Sequence, residues 1–498
     1  MRAYLGIDIG TYESKGALVD ADGRILASAA RPHKMLVPQP GWAEHRAEEY
    51  WWADFTAISQ ELIAKSGVTS GEIRAVGASG IGPCVLPVDE AGAPLSNAIL
   101  YGVDTRAARE IADLNAAIGE DVILARCGNA LTSQSVGPKI LWLKRNRPDI
   151  YARAHKFLNS TSFLVHRLTG RFVVDHYTAA NASPLYDAGA LNWTDELAPE
   201  IVSLERLPEL AWSTEIAGGV NARAARETGL AVGTPVIVGT IDAAAEAVSV
   251  GVLAPGQMML MYGSTIFTVL ITESRVRDAR LWWAPWLFPG RHAALAGLAT
   301  SGALTHWFRD QLARDLRPET AMGALAAEAA ASPPGAGGLV FLPYFSGERT
   351  PIHDTQAKGV WFGLNLTHKR GDIYRALLEG IAFATNHVLE TYRDAGVSLD
   401  AIHAVGGGVR NEVWLQATSD VSGLGQTLLK SNLGASYGDA FLAALAVGDV
   451  DAGAITRWNP LDGHVAPNSE RKATYARQYG IFRELYARNR DLMARLEG

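Results

Sequence analysis

Residues 4–19 read YLGIDIGTYESKGALV, a pattern that predicts a β-strand, a tight turn and a second β-strand. Asp8 interrupts the first apolar run. Burying a carboxylate there is costly unless it lies at the end of the strand or has a cationic partner. The turn at Gly10 and Thr11 leaves backbone N–H groups free to face an anion, and Lys15 adds a movable positive charge. An acid for Mg²⁺, a turn for phosphate oxygens and a lysine are the parts that a nucleotide site needs. An ordinary hairpin with Asp8 and Lys15 as solvated charges explains the stretch equally well.

The composition predicts a globular chain of at least two domains, with 498 residues, 48% of them hydrophobic and 19% charged. The formal net charge is −7 and no basic block occurs, which argues against a nucleic-acid partner. The two cysteines, Cys84 and Cys127, provide neither a disulfide framework nor a thiolate metal site, and they fit a reducing cytoplasm. Neither a basic-then-apolar leader nor an apolar run of about 18 residues is present, so we expect a cytoplasmic protein without a membrane partner.

The opening pattern recurs in the middle of the chain. Residues 258–271 read MMLMYGSTIFTVLI, again a strand, a turn of small residues and a strand, but without counterparts of Asp8 and Lys15. Two such units predict two domains with related cores, residues 1–247 and residues 248–498. Each domain would offer one glycine-hydroxyl turn to a shared cleft, which is the arrangement of a phosphate clamp.

Asp242 lies where a buried strand, Val236 to Val238, leads through Gly239 into an alanine-rich helix. An aspartate at a helix entrance is explained fully by capping the helix N-terminus. The residues around Asp242 therefore predict its position but leave its role open.

A triple glycine follows a predicted strand at Val405, and a helix begins after Asn411. A strand, a glycine turn and a helix start allow the backbone to approach a flat ligand such as adenine or a ribose. The spacing is not the Gly-x-Gly-x-x-Gly of dinucleotide-binding proteins, and no P-loop sequence occurs in the chain.

Taken in order, these motifs resemble those of the FGGY carbohydrate kinases, a family of the actin-like ATPase superfamily. The motifs that carry the resemblance are Asp8-x-Gly10-Thr11-x-x-x-Lys15, Asp242, Gly263-Ser264-Thr265 and Gly406-Gly407-Gly408-x-x-Asn411. Gly359-Val-Trp361-Phe-Gly363-Leu364 and the helix from Asp372 are similar to the family's C-terminal signature. The resemblance implies an α/β fold of two ribonuclease-H-like (actin-like ATPase, ASKHA) domains with a central cleft.

The resemblance also implies ATP and Mg²⁺ as ligands, with ATP mostly against the second domain and a sugar against the first. Asp8 would hold Mg²⁺, through water, and Asp242 would be the base that takes the proton from the attacking sugar hydroxyl. The residues expected to contact the phosphates are Gly10, Thr11, Lys15, Gly263, Ser264 and Thr265. Those expected to line the adenosine pocket are Gly302, Gly407, Gly408 and Asn411.

Within the family the overall pattern is most similar to that of the xylulokinases, which implies phosphorylation of D-xylulose to D-xylulose 5-phosphate. The residues expected to contact the sugar are Ser79, Gly80, Asp104, Arg106 and Asp242. Ser79-Gly80-Ile81-Gly82-Pro83 stands where xylulokinases carry a Gln-Met-His-Gly-like turn, and the Arg-Glu pair of glycerol kinases is absent. A kinase for ribulose, erythritol or another polyol is therefore an alternative. A non-catalytic sugar sensor or actin-like ATPase is a further one, and the resemblance allows a homodimer without revealing an interface.

Overall fold

The computed structural model describes residues 2–431 and 433–497, except for the side chain of Glu497. Met1 and Gly498, the ends of the two predicted domains, lie outside the described residues. Two seven-stranded mixed sheets dominate the fold.

The first half of the chain contains strands and helices up to residue 249. The strands are β1 (Ala3–Ile9), β2 (Glu13–Asp20), β3 (Ile25–Pro32), β4 (Glu44–His45), β5 (Ile73–Gly80), β6 (Leu86–Val88), β7 (Ala98–Ile99), β8 (Lys156–Leu158), β9 (Val173–Asp175), β10 (Tyr186–Asp187), β11 (Asn192–Trp193), β12 (Glu209–Ala211), β13 (Ile216–Gly219), β14 (Pro235–Ile237) and β15 (Thr240–Ile241). The helices are α1 (Ala53–Ser66), α2 (Ala108–Ile118), α3 (Glu120–Cys127), α4 (Val136–Asn146), α5 (Pro148–Arg153), α6 (Ser160–Thr169), α7 (His176–Ala179), α8 (Ala222–Thr228) and α9 (Asp242–Ser249).

The second half continues with a similar mixture. Its strands are β16 (Gln257–Tyr262), β17 (Ile266–Thr272), β18 (Trp282–Pro285), β19 (His292–Leu298), β20 (Val340–Leu342), β21 (Val360–Phe362), β22 (Ala401–Val405), β23 (Gln426–Leu429) and β24 (Leu461–Val465). Its helices are α10 (Gly302–Leu312), α11 (Ala321–Ala331), α12 (Arg370–Asp394), α13 (Glu412–Ser422), α14 (Ala435–Ala446), α15 (Ile455–Trp458) and α16 (Lys472–Ala494).

The two large sheets repeat one another. The first has the order β13-β14-β5-β1-β2-β3, with β15 also pairing with β5, and the second has the order β24-β23-β22-β16-β17-β19-β18. In each sheet an antiparallel hairpin, β1–β2 or β16–β17, pairs through its first strand with a later parallel strand, β5 or β22. The repeated hairpin in the sequence thus marks two related cores, as expected.

Two helices are exchanged between the halves and lie between the sheets. Helix α14, which comes late in the chain, packs so closely on the first sheet that a Cβ at Gly6 would lie 1.9 Å from the carbonyl oxygen of Ser436. Apolar residues of α9, such as Val248, share one core with Met259 and Val269 of the second sheet. One domain boundary in the sequence therefore divides the two sheets, but α9 and α14 each pack across that boundary.

The first helical segment of the chain begins irregularly. Ala47–Trp52 form a π-helical turn, and the regular α1 starts only at Ala53. The wider turn brings the rings of Tyr50 and Trp51 over His33 and His45. Among the described residues, no helix has the length and apolar character needed to cross a bilayer.

Candidate active site

The first turn joins β1 to β2 at the edge of the cleft. The N–H of Gly10 donates to the carbonyl of Glu13 at 3.1 Å, and the hydroxyls of Thr11 and Tyr101 lie 3.1 Å apart. Lys15 stands opposite Asp8 in the strand register, and its Nζ lies 3.2 Å from Oε2 of Glu13. The turn therefore brings the predicted residues together and adds an ion pair between two half-exposed side chains.

Two histidines, which the sequence analysis did not identify, support this turn from behind. Nε2 of His33 donates to the Gly10 carbonyl at 2.9 Å, and Nε2 of His45 donates to the Thr11 carbonyl at 3.1 Å. Both imidazoles are almost fully buried. No periodicity or motif indicates such contacts, because β3 and β4 bring the histidines to the turn through tertiary packing.

The second turn joins β16 to β17 and is supported by backbone N–H groups and by the hydroxyl of Ser301, which donates to the Gly263 carbonyl at 3.0 Å. The N–H of Gly263 donates to the Thr265 carbonyl at 3.1 Å, and the N–H of Gly302 donates to the Gly263 carbonyl at 3.0 Å. The N–H of Ala303 donates to the Ser264 carbonyl at 3.1 Å. The start of α10 therefore holds this turn, and a Cβ at Gly302 would lie only 2.4 Å from the Gly263 oxygen.

The predicted adenosine residues surround one cavity of about 620 Å³ in the second half. Its lining includes Gly263, Ser264, Gly302, Gly407, Gly408 and Asn411, together with Tyr262, Thr305 and Trp414. Asn411 also caps α13, since its Oδ1 accepts from the N–H of Trp414 at 3.1 Å. A ligand in this cavity would meet mostly backbone and small side chains, which suits a flat base and a ribose.

A second cavity, of about 220 Å³, lies between the two sheets. Its lining combines Asp8 and Lys15 from the first half with Gly407 and Arg410 from the second. Glu246 of α9 also lines it. The two halves thus enclose one charged space next to the adenosine-sized cavity, and Arg410 and Glu246 are members that the sequence analysis missed.

Four carboxyl groups lie close together at this point. Burial, partly offset by a hydrogen bond from Ser79, raises the pKa of Asp8 to about 6. Burial and then repulsion from Asp8 raise the pKa of Glu246 to about 7, and raise those of Asp242 and Asp439 well above the ordinary range. The Ser79 hydroxyl lies 2.9 Å from Oδ1 of Asp8 and 2.7 Å from Oδ2 of Asp439. Such a group of interacting acids is typical of a proton-transfer site.

Asp242 is the first residue of α9, and Ile241 occupies the capping position. The Asp242 carboxylate accepts from the N–H of Ala243 at 2.7 Å. The helix N-terminus therefore stabilises the ionised form, while burial and nearby carboxylates oppose it. The N-cap interpretation is wrong in detail, since the aspartate lies one position inside the helix.

The residues expected at the sugar site occupy the first half beside Asp242. Ser79 and Gly80 at the end of β5 pair with Thr240 and Ile241. Ser79 is fully buried between two carboxylates, and its hydroxyl is therefore already engaged by protein groups.

Asp104 and Arg106 are also expected at the sugar site, and they contact each other. The buried Asp104 carboxylate accepts from the N–H of Ala43 at 2.7 Å and from Nε of Arg106 at 2.9 Å. The guanidinium of Arg106 lies over the ring of Trp42, with 3.9 Å to the ring centroid, and pairs with Glu44. Both charged groups are thus paired within the protein.

The donor set at Asp8 suits a hard cation such as Mg²⁺, since carboxylate oxygens of Asp8 and Glu246 border the same cavity. Among the described residues, however, no cluster of three or more His, Cys, Asp or Glu side chains could hold a metal ion by itself. These residues fit a Mg²⁺ ion that arrives bound to phosphates and keeps its waters, which is how this ion usually binds in proteins.

The chain matches two models of the FGGY family of carbohydrate kinases: the N-terminal domain over residues 3–249 and the C-terminal domain over residues 258–447. It is 29% identical to the xylulose kinase of Escherichia coli (strain K12), covering 99% of this chain and 100% of that protein. It is also 30% identical to a glycerol kinase of Citrifermentans bemidjiense, covering 95% and 96% of the two chains. The crystal structure of xylulose kinase from Rhodospirillum rubrum superposes with a TM-score of 0.92 at 31% identity, covering 99% of this chain and 100% of that one. With two related domains closing on a cleft that joins a nucleotide-sized cavity to a cluster of carboxylates, this chain belongs to the FGGY family and is an ATP-dependent carbohydrate kinase.

Proposed function

We propose that this kinase phosphorylates D-xylulose to D-xylulose 5-phosphate, with Asp242 as the general base and Mg-ATP in the interdomain cleft. The observation that carries the proposal is the shared cavity, in which groups from both halves converge beside the carboxylate of Asp242. The buried carboxylate of Asp242 lies at the start of α9, and Asp8, the predicted Mg²⁺ residue, contributes to its raised pKa.

The proposed reaction is an in-line transfer of the terminal phosphate of ATP to a primary hydroxyl of the sugar. In such transfers the protein mainly positions the groups and neutralises charge. The hydroxyl oxygen forms the new bond to phosphorus, its proton goes to the Asp242 carboxylate, and ADP departs. The raised pKa of Asp242 makes the carboxylate a stronger base than an exposed aspartate, as long as the working pH keeps it ionised.

The remaining predicted residues would have separate tasks. The turns at Gly10 and Thr11 and at Gly263 to Thr265 would donate N–H groups to the phosphates, and Lys15 would supply positive charge. Asp8 would hold the Mg²⁺ ion through water, and that ion would neutralise charge on the phosphates. Gly302, Gly407, Gly408 and Asn411 would bind the adenosine in the cavity that they line.

The choice of D-xylulose rests on the relatives named xylulose kinase over the full length. The sugar side carries Ser79-Gly80-Ile81-Gly82-Pro83 where xylulokinases carry a Gln-Met-His-Gly-like turn, and a relative of similar identity is named glycerol kinase. This departure favours a second candidate within the same class: a kinase for ribulose, erythritol or another polyol.

A substrate panel tests the proposal. ADP release, followed by a coupled assay, is compared for D-xylulose, D-ribulose, L-ribulose, erythritol, glycerol and no acceptor. We expect the highest kcat/KM with D-xylulose, by about tenfold or more over the others. A higher value for another acceptor overturns the xylulose assignment, and ADP release that no acceptor stimulates overturns the kinase role and favours an actin-like ATPase.

A further inference from the structure

Every carbonyl of the first turn is occupied by a protein donor. The four contacts are Gly10 N–H to Glu13 O (3.1 Å), His33 N–H to Tyr12 O (2.9 Å), His33 Nε2 to Gly10 O (2.9 Å) and His45 Nε2 to Thr11 O (3.1 Å). Within residues 2–431 and 433–497, the N–H groups of Thr11 and Tyr12 donate to no other residue. The turn thus has its acceptors satisfied and two donors left over.

His33 lies between two acceptors. One ring nitrogen, Nε2, faces the Gly10 carbonyl, and the other, Nδ1, lies 2.9 Å from Oδ2 of Asp54. A carbonyl and a carboxylate are both acceptors, so the ring donates to both only when each nitrogen carries hydrogen. Ser14 donates its hydroxyl to the same Asp54 oxygen at 2.7 Å and so leaves the carboxylate an acceptor. In its protonated form His33 donates to both acceptors and forms an ion pair with Asp54, and its side chain is only 3% exposed.

His45, in contrast, lies between a donor and an acceptor. The indole N–H of Trp51 donates to Nδ1 of His45 at 3.1 Å, so the hydrogen of a neutral ring must lie on Nε2, which faces the Thr11 carbonyl. Burial, together with the charge of His33, lowers the pKa of His45 to about 4. Two buried imidazoles with different partners therefore hold two successive carbonyls.

The neighbouring aromatic side chain keeps both rings in place. The ring of Tyr50 stacks on His33 with 5.4 Å between centroids and meets His45 edge-on at 5.6 Å. Tyr50 and Trp51 reach these positions from the π-helical turn that precedes α1. The unusual helix start thus has a local consequence, because it brings a stacking ring and a hydrogen-bond donor to the histidine pair.

We propose that His33 and His45 are positioning residues that orient the first turn for the terminal phosphate of ATP. In a trans peptide the C=O and the following N–H point in opposite directions, and the described cis bonds lie elsewhere in the chain. Fixing the carbonyls of Gly10 and Thr11 toward the histidines therefore turns the N–H groups of Thr11 and Tyr12 to the other face. Oriented N–H groups bind anions without reorganising, and the charge of His33 behind the turn adds to their attraction. The inference rests on the proposed function, since it needs the phosphate at this turn.

The test compares an ATP analogue, which carries the terminal phosphate, with adenosine, which carries no phosphate. His33→Phe keeps a ring to stack on Tyr50 but removes the charge and both hydrogen bonds, and His45→Phe removes the other contact. A matched control is His166→Phe, since His166 also stacks on an aromatic ring, that of Phe172, and contacts a backbone carbonyl, that of Ala91. Calorimetry gives the affinity of a non-hydrolysable ATP analogue with Mg²⁺ and of adenosine for each variant. Steady-state kinetics with the best sugar give kcat and the KM values.

We expect His33→Phe to weaken binding of the ATP analogue about tenfold and to raise the KM for ATP similarly, because a charge-assisted contact is lost. Adenosine affinity and the KM for the sugar should stay within about twofold, and His166→Phe should match the wild type. A role in folding alone would lower the melting temperature without changing the affinity for the ATP analogue relative to that for adenosine. If a histidine variant does not fold, the near-isosteric Asp54→Asn is measured instead, with a loss of about threefold expected for the analogue only.

Unchanged binding of the ATP analogue in the folded variants overturns the inference, and so does an equal loss for adenosine. A wild-type protein without sugar-dependent ADP release overturns the proposed function instead, so the two failures are distinguishable.

Discussion

The two glycine turns occupy equivalent places in duplicated sheets, yet their supports differ. In the first turn, side chains of His33 and His45 hold the carbonyls. In the second, backbone N–H groups of Ser301, Gly302 and Ala303 do so together with the Ser301 hydroxyl, since α10 begins directly beneath the turn. The same hairpin is thus held by ionisable groups in one half and by uncharged groups in the other.

The difference matches the surroundings of each turn. Asp8 and Lys15, on the two strands that flank the first turn, line the charged cavity with Glu246, whereas Gly263 and Ser264 of the second turn line the cavity expected to hold adenosine. A backbone support is rigid and insensitive to pH, which suits a binding surface. A side-chain support can add a charge at the turn, which suits a site where phosphate charge is redistributed.

The largest effect should come from Asp242, the proposed proton acceptor in the first half. We expect Asp242→Asn to lower kcat about 10²–10⁴-fold, because the amide cannot take a proton from the sugar hydroxyl. Binding of the ATP analogue should change less than about threefold, since the second half provides the adenosine cavity. Single-turnover kinetics and calorimetry measure the two quantities.

The matched control for this change is Asp420→Asn in the second half. Asp420 is also buried, and it is bonded to the N–H of Asn468 and to Arg471, away from the cleft. This control should lose stability but keep its turnover. Turnover at the wild-type rate in Asp242→Asn would mean that the proton has another acceptor.

The second-largest effect should come from Gly302, which supports the second turn. In Gly302→Ala the new Cβ would approach the Gly263 carbonyl to 2.4 Å, so the turn or α10 must shift. We expect the KM for ATP to rise about tenfold or more, with a parallel loss of adenosine affinity and a smaller change in kcat. Gly323→Ala is the control, because Gly323 lines the same cavity and a Cβ there meets no atom within 4 Å. Equal behaviour of the two variants would show that the second turn does not depend on its backbone contacts.

Sequence reasoning was most successful where the chemistry lies in a contiguous motif. The hairpin with Asp8, Gly10 and Lys15 and its repeat at Gly263 predicted the duplicated cores, because strand and turn propensities are local. The roles of the individual site residues stay predictions. His33, His45 and Glu246 could not be found in this way, since each reaches the site through a contact with a residue distant in the chain. The exchange of α9 and α14 was missed for the same reason.

The smallest effect is the pH dependence of activity and stability, which comes from the buried carboxyl groups near the first turn. The pKa is about 6 for Asp8 and about 7 for Glu246, so these two acids ionise as the pH rises through this range, and the pKa of Asp242 is raised by burial and by Asp8 as well. Since the proposed roles of Asp8 and Asp242 require charged carboxylates, kcat/KM should fall as the pH is lowered from 8 to 6. Stability should move in the other direction, because a carboxyl with a raised pKa binds a proton more tightly in the folded state. We therefore expect the melting temperature to fall by about 2–4 °C as the pH rises from 5 to 8.

Two variants separate the functional part of this dependence from the structural part. Glu348 in the second half also has its pKa raised by burial, to about 8, and it contacts the N–H of Ala299 rather than the charged cavity. Glu246→Gln and Glu348→Gln should each reduce the pH dependence of the melting temperature, since each removes one buried acid. Only Glu246→Gln should move the acid limb of kcat/KM, to lower pH by roughly half a unit, because Glu246 contributes to the raised pKa of Asp242. An acid limb that moves equally in both variants would mean that it follows overall stability, and the two halves would then not differ in how they use ionisable groups.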